Sequence, residues 1–213
     1  STFTLAGNMA SDVRSEGREG TVAGCAAFGK GVGQANANAI QVLGSMRAAS
    51  LQLLGNTAGR VHATEGLAAA NSFSQGAGGR VDALQALIAG NTAGSTQADG
   101  GSTALANSVQ VDGTVQGSSV QVAGNQGTAQ ASGRDGLANS VRAQSRGRIA
   151  ASSVTVTANQ GSAQQGVANS VDVGGSLQGG SITILGNQGS AREGGTINSV
   201  VGNGRITGSQ ITI

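Results

Sequence analysis

The sequence has no proline, tryptophan or tyrosine, and its only aromatics are Phe3, Phe28 and Phe73. An ordinary globule of 213 residues draws much of its burial energy from bulky side chains, so any core here is thin. Charge is scarce too. Charged residues make up 10% and the net charge is +2, which excludes the basic surface of a nucleic-acid binder. The cluster Arg142, Arg146 and Arg148 has no aromatic beside it to stack a base and reads as a solvated edge. No stretch reaches the roughly 18 apolar residues of a membrane span. The single cysteine, Cys25, excludes an intrachain disulfide and leaves a buried thiol or a bridge between molecules. His62 is the only histidine, and no carboxylates gather near Cys25, so neither a metal site nor a cofactor is expected. The chain begins at Ser1 without a charged-then-apolar leader, as would a secreted protein after processing or a shortened chain.

The missing proline carries more information than the other absences. Glycine is abundant at 38 residues, and in low-complexity disorder glycine and proline rise together. A backbone whose N–H groups are nearly all engaged between strands tolerates no proline. With Val, Ile and Leu in short alternating runs, this predicts an ordered all-β chain.

A repeat then sets the fold. An anchor Asn after Gly or Ala recurs at Asn8, Asn56, Asn91, Asn125, Asn159 and Asn187. Five residues before it stand Phe3, Leu51, Ala86, Val120, Val154 and Ile182, and three before it Leu5, Leu53, Ile88, Val122, Val156 and Ile184. Apolar columns at period two mark one buried strand face. A second Asn, usually before Ser, recurs at Asn38, Asn71, Asn107, Asn139, Asn169 and Asn198, followed two residues on by Ile40, Phe73, Val109, Val141, Val171 and Val200. A third apolar column reads Met46, Val81, Val115, Ile149, Leu177 and Ile206.

These columns predict a β-solenoid, or β-helix, of about six three-strand coils with Asn and Gly at the corners, where positive φ is needed. Stacked about 4.8 Å apart, each strand pairs with its copies, and both Asn columns become structural amide ladders. Residues 1–213 read as one domain. Length varies only between the anchor Asn and the next Asn-Ser, as a loop on one side of a solenoid can. The longest such insertion, at about 9–37, is expected to leave the stack or cover a face.

Function is expected at the ends. Ile211 and Ile213 match Phe3 and Leu5 in the repeat, and neither end carries the polar cap that a free solenoid needs. Thr2, Phe3, Thr4 and Leu5 of one copy are therefore expected to stack on Gln210, Ile211, Thr212 and Ile213 of another, giving a head-to-tail homopolymer that does not close. Each copy would advance it by roughly six rungs, about 29 Å.

Other chemistries find little support in the residues. Gly24–Gly31 has the spacing of a phosphate-binding loop as far as Lys30, but Gly31 replaces the Ser or Thr that holds Mg²⁺. Arg142 and Asp172 fall on neighbouring rungs and read as an exposed ion pair, and no nucleophile, base and orienter come together, so an enzyme is not expected. The outward column Thr4, Gln52, Leu87, Gln121, Thr155, Thr183 and Thr212 mixes residue types where an ice-binding face would be regular. A monomeric surface binder, such as an adhesin passenger or an ice-binding solenoid, is the alternative.

Ser119-Val-Gln-Val-Ala-Gly-Asn125-Gln-Gly-Thr-Ala-Gln130 resembles the repeat style of curli-type bacterial functional amyloids, and Gly33-Gln-Ala-Asn-Ala-Asn-Ala-Ile40 is similar to the Gln/Asn-Ala runs of Fap-type fibre subunits. Coils of roughly 28 to 35 residues are longer than the curli repeat. The resemblance implies a secreted bacterial fibre subunit of the cell surface or biofilm matrix.

Overall fold

A computed structural model describes residues 2–15, 22–23, 26–28, 34–42, 44–48, 50–64, 66–83, 85–99, 103–131, 136–208 and 210–213. Among these the chain is all-β, with no helix, and its strands pair in parallel as a β-solenoid. Each coil contributes to four sheets, called A to D in chain order. One coil runs Thr114–Ala123 in sheet A, Gln126–Ala131 in B, Gly136–Ala138 in C and Val141–Ala143 in D. In other coils sheet A is built from two short strands, such as Ser176–Gly179 and Ser181–Leu185.

The apolar columns stack in register. Leu51, Ala86, Val120, Val154 and Ile182 follow one another in sheet A, and Ile40, Phe73, Val109, Val141, Val171 and Val200 in sheet D. Together with the third column they form one core between A and D, with Leu53, Phe73, Ile88, Ile149 and Leu177 fully buried. Each such side chain contributes roughly 1.5–3 kcal/mol of burial.

The segment between the anchor Asn and the next Asn-Ser, expected as a loop, holds two further sheets. Sheet B takes Met9–Ser15, Thr57–Ala63 and their copies, and sheet C takes Gln34–Ala37, Leu67–Ala70 and theirs. They enclose a second core made almost wholly of alanine, including Ala37, Ala58, Ala63, Ala70, Ala98, Ala106, Ala129, Ala138 and Ala168. Most of the length variation lies in the B-to-C connection, and the D-to-A corner differs by two residues between coils.

Of the two outcomes expected for the first insertion, leaving the stack is not what its ends do. Met9–Ser15 and Gln34–Ala37 do not leave the stack, since they pair with Thr57–Ala63 and Leu67–Ala70. Between them, Val22–Ala23 pairs with the outer edge of Gln34–Ala37, and Ala26–Phe28 with that of Ile40–Val42. This half-rung covers sheets C and D at the N-terminal face. Cys25, Glu16, Arg18, Glu19, the Gly24 and Gly29–Gly31 positions of the phosphate-loop spacing, Ser1 and Ser209 lie outside the described residues.

Candidate functional site

The Asn columns stand at the coil corners because the backbone there turns left-handed. Asn38, Asn71, Asn107, Asn139, Asn169 and Asn198 all have φ between 48 and 50°, a region that Asn tolerates better than branched residues. Each anchor Asn follows the turn residue and directs its amide along the stack. The Nδ2 groups of Asn8, Asn56, Asn91, Asn125 and Asn159 donate to Oδ1 of the Asn one coil on, at 2.9–3.0 Å. The backbone N–H of the same residues donates to that same oxygen at 2.8–3.0 Å. The second Nδ2 hydrogen goes back one coil, as from Asn125 to the Ile88 carbonyl at 2.9 Å. Every polar atom of a central anchor amide is thereby paired where no water reaches, which removes the penalty of burying it.

The second column repeats this logic from Asn38 to Asn169. Nδ2 of Asn38, Asn71, Asn107 and Asn139 donates to the next Oδ1 at 3.0–3.1 Å, and also to the carbonyl that opens the next sheet B strand, as from Asn71 to Thr92 at 2.8 Å. Asn198 stands outside the run of amide bonds. Its Oδ1 is buried and unpartnered, and its Nδ2 reaches only the Asn187 carbonyl at 3.4 Å.

Sequence reasoning missed a third ladder. The backbone N–H groups of Ser108, Ser140, Ser170 and Ser199 donate to Oγ of the preceding serine, from Ser72 onward, at 3.0–3.1 Å. Those hydroxyls donate to the carbonyls of Ala70, Ala106, Ala138 and Ala168. The Ala-Asn-Ser order of the four middle copies was the available signal.

Each ladder has one direction: the Asn ladders point their N–H groups to the C-terminal face and their oxygens to the N-terminal face, and the serine ladder runs the opposite way. The faces therefore differ chemically. At the N-terminal face Asn8 Oδ1 has no earlier amide to accept from, and Asn38 Oδ1 is buried without a partner. Thr2–Ala6 pairs with Ser50–Leu54 on one edge only. There Thr2 and Thr4 are exposed, Leu5 packs against the A–D core, and the Phe3 backbone pairs with Leu51.

At the C-terminal face Ile211–Thr212 pairs with Ile182–Thr183 and the Gln210 carbonyl accepts from Ile182. Ile211 and Ile213 are 51% and 66% exposed. Gln210 and Thr212 are exposed as well.

Away from the faces, a cleft lies between the outer surfaces of sheets C and D, with a cavity of about 590 Å³ lined by Thr103, Arg142, Gln144, Val167, Asp172 and Thr196. Arg142 Nε meets Asp172 at 2.7 Å. The pair is not exposed as expected, because Arg142 retains only 6% of its accessibility. The two-residue corner at the Asn-Ser dipeptide turns these outer faces toward one another. At the outer edge of sheet B, His62 Nε2 bonds Asp99 at 2.8 Å, and this contact, aided by Gln97, holds the Asp99 carboxyl below the usual range.

Among the described residues no three His, Cys, Asp or Glu side chains gather as metal ligands, and no helix is long and apolar enough to cross a membrane. Compared with known families, characterised proteins and solved structures, the chain matches none.

Proposed function

We propose that this chain is a structural subunit of an extracellular fibre, such as a cell-surface or biofilm-matrix filament, that grows head to tail by adding coil to coil along the solenoid axis. The reading rests on the polarity of the side-chain ladders, each of which keeps one direction along the stack. A row that offers N–H groups at one face and oxygens at the other complements the opposite face of a second copy, and not its own kind. The open parallel strand edges at the two ends act in the same sense. A heterologous contact of this type propagates instead of closing. The work of such a protein is mechanical, carried by backbone and amide ladders.

The test is assembly of the purified chain, followed by electron microscopy and fibre diffraction. Unbranched filaments are expected, with strands across the axis and a meridional spacing of about 4.8 Å. Monodisperse short rods at all concentrations would favour a monomeric surface binder and overturn the fibre.

A further inference from the structure

We infer that the half-rung Val22–Ala23 and Ala26–Phe28 is a displaceable plug on the assembly face, so that its withdrawal gates the addition of a second copy. The inference rests on the fibre reading above and adds the regulation of that contact.

The register carries the argument. Counting from the N-terminal face, Met9–Ser15, Gln34–Ala37 and Ile40–Val42 belong to the first coil. Gln188–Arg192, Thr196–Ile197 and Val200–Val201 belong to the sixth. Arg205–Gly208 and Ile211–Thr212 begin a seventh in sheet A.

A translation of six coils therefore sets the first-coil strands of sheets B, C and D directly on the last strands of a second copy. It also sets Ser45–Ala48 on Arg205–Gly208. Asn187 is then next to Asn8, and Asn198 next to Asn38. The forward-pointing donors of the last coil find the partners they would have inside the stack: Asn187 N–H and Nδ2 find Asn8 Oδ1, while Asn198 Nδ2 finds Asn38 Oδ1 and the Met9 carbonyl.

Among the described residues, two elements obstruct this fit. The short strand Ile211–Thr212 duplicates Thr2–Ala6, and the half-rung occupies the positions in sheets C and D that the second copy would fill. The half-rung is a poor substitute for a coil. It pairs over two residues in sheet C and three in sheet D, leaves the sheet B edge open and provides no amide for Asn38, whose buried oxygen stays unpartnered. A full coil satisfies more of the face, so an incoming copy outcompetes the plug once it is displaced.

A rival junction exists. A seven-coil translation keeps the half-rung and stacks it on Thr196–Ile197 and Val200–Val201, with Thr2–Ala6 on Ile211–Thr212. It leaves a gap in sheet B and interrupts both Asn ladders.

The experiment replaces residues 16–33 by Ser-Gly-Arg-Asp, the connection found at 132–135, and compares assembly with the native chain and with Cys25→Ser, since the replacement also removes the thiol. Ala27→Pro, which withdraws one N–H from the half-rung, serves as a second variant. Light scattering follows the kinetics, and helical reconstruction gives the axial repeat.

The expected result is a lag several-fold shorter for both plug variants, with filaments repeating every six coils, about 29 Å. Equal kinetics for all chains would overturn the gate and leave the fibre standing. Slower assembly, or a repeat of about 34 Å from seven coils, would make the half-rung part of the junction and overturn the gate. Failure of every chain to assemble would remove the fibre reading and the gate with it.

Discussion

Asn125 makes five hydrogen bonds through one amide group and its backbone N–H: it accepts from Asn91 twice, donates to Asn159 twice and donates to Ile88 once. Truncation to Ala takes these partners from the two Asn91 donors and the Ile88 carbonyl, and leaves Asn159 Oδ1 with only the backbone N–H of residue 125. Because each buried orphan costs about 1–3 kcal/mol and neighbours relax only in part, Asn125→Ala is expected to lose about 3–5 kcal/mol in denaturant unfolding. A loss below about 1 kcal/mol would mean that the ladder adds nothing beyond what water provides.

The serine ladder allows the opposite change. Its first member is Ala39, buried at 3% exposure, where the other copies have serine. A hydroxyl there would accept from the Ser72 N–H and donate to the Ala37 carbonyl, as Ser72 does for Ser108 and Ala70. Ala39→Ser should therefore stabilise by about 1 kcal/mol and raise the melting temperature by about 2–4 °C. A lowered melting temperature would show that this corner cannot hold the hydroxyl.

Among the elements, sheet B shows how a strand is fitted to a ladder. Its inward column reads Ala10, Ala58, Ala93, Gly127, Gly161 and Gly189. The change from Ala to Gly coincides with a register shift between Ala93 and Thr96. Beyond it the strand lies against the second Asn ladder, and a Cβ on Gly161 would fall 2.5 Å from Asn139 Nδ2 and 2.6 Å from Asn169 Oδ1. Gly161→Ala is accordingly expected to cost about 1–3 kcal/mol by forcing the ladder apart. A neutral melt would place the ladder elsewhere.

The same column shows what the sequence could reveal. Sheets A and D were legible because Val, Ile and Leu at period two have one physical reading. Sheets B and C were not, because Ala and Gly bury little surface and seldom favour strands. Yet Ala37, Ala70, Ala106, Ala138 and Ala168 precede the second Asn in five copies. The ladder residues could be read from spacing alone. The burial of Arg142 could not, since it depends on the angle between two sheets at a corner whose sequence gives only the turn. The half-rung was also hidden, as five residues hold too few side chains to show a period.

At the scale of the molecule, a stack whose coils touch only their neighbours behaves as a one-dimensional array, in which stability is a sum over coils and the interfaces between them. The 34 residues from Asn91 to Gly124 form one such unit, since Asn91 and Asn125 occupy equivalent positions. Their removal joins Gly90 to Asn125, restoring the Gly-Asn dipeptide found at other corners. It sets Asn71 beside Asn139, Ser72 beside Ser140 and Phe73 beside Val141, and spares the Arg142–Asp172 pair. A globular core would collapse on losing a sixth of its chain. This stack is expected to keep its β-sheet circular dichroism and to unfold at a lower temperature, having lost one coil and one interface. Filaments of the shortened chain should repeat about every 24 Å, five coils instead of six. Loss of the β signal would show that the coils are not interchangeable units. A repeat unchanged by the deletion would show that the filament axis is not the solenoid axis.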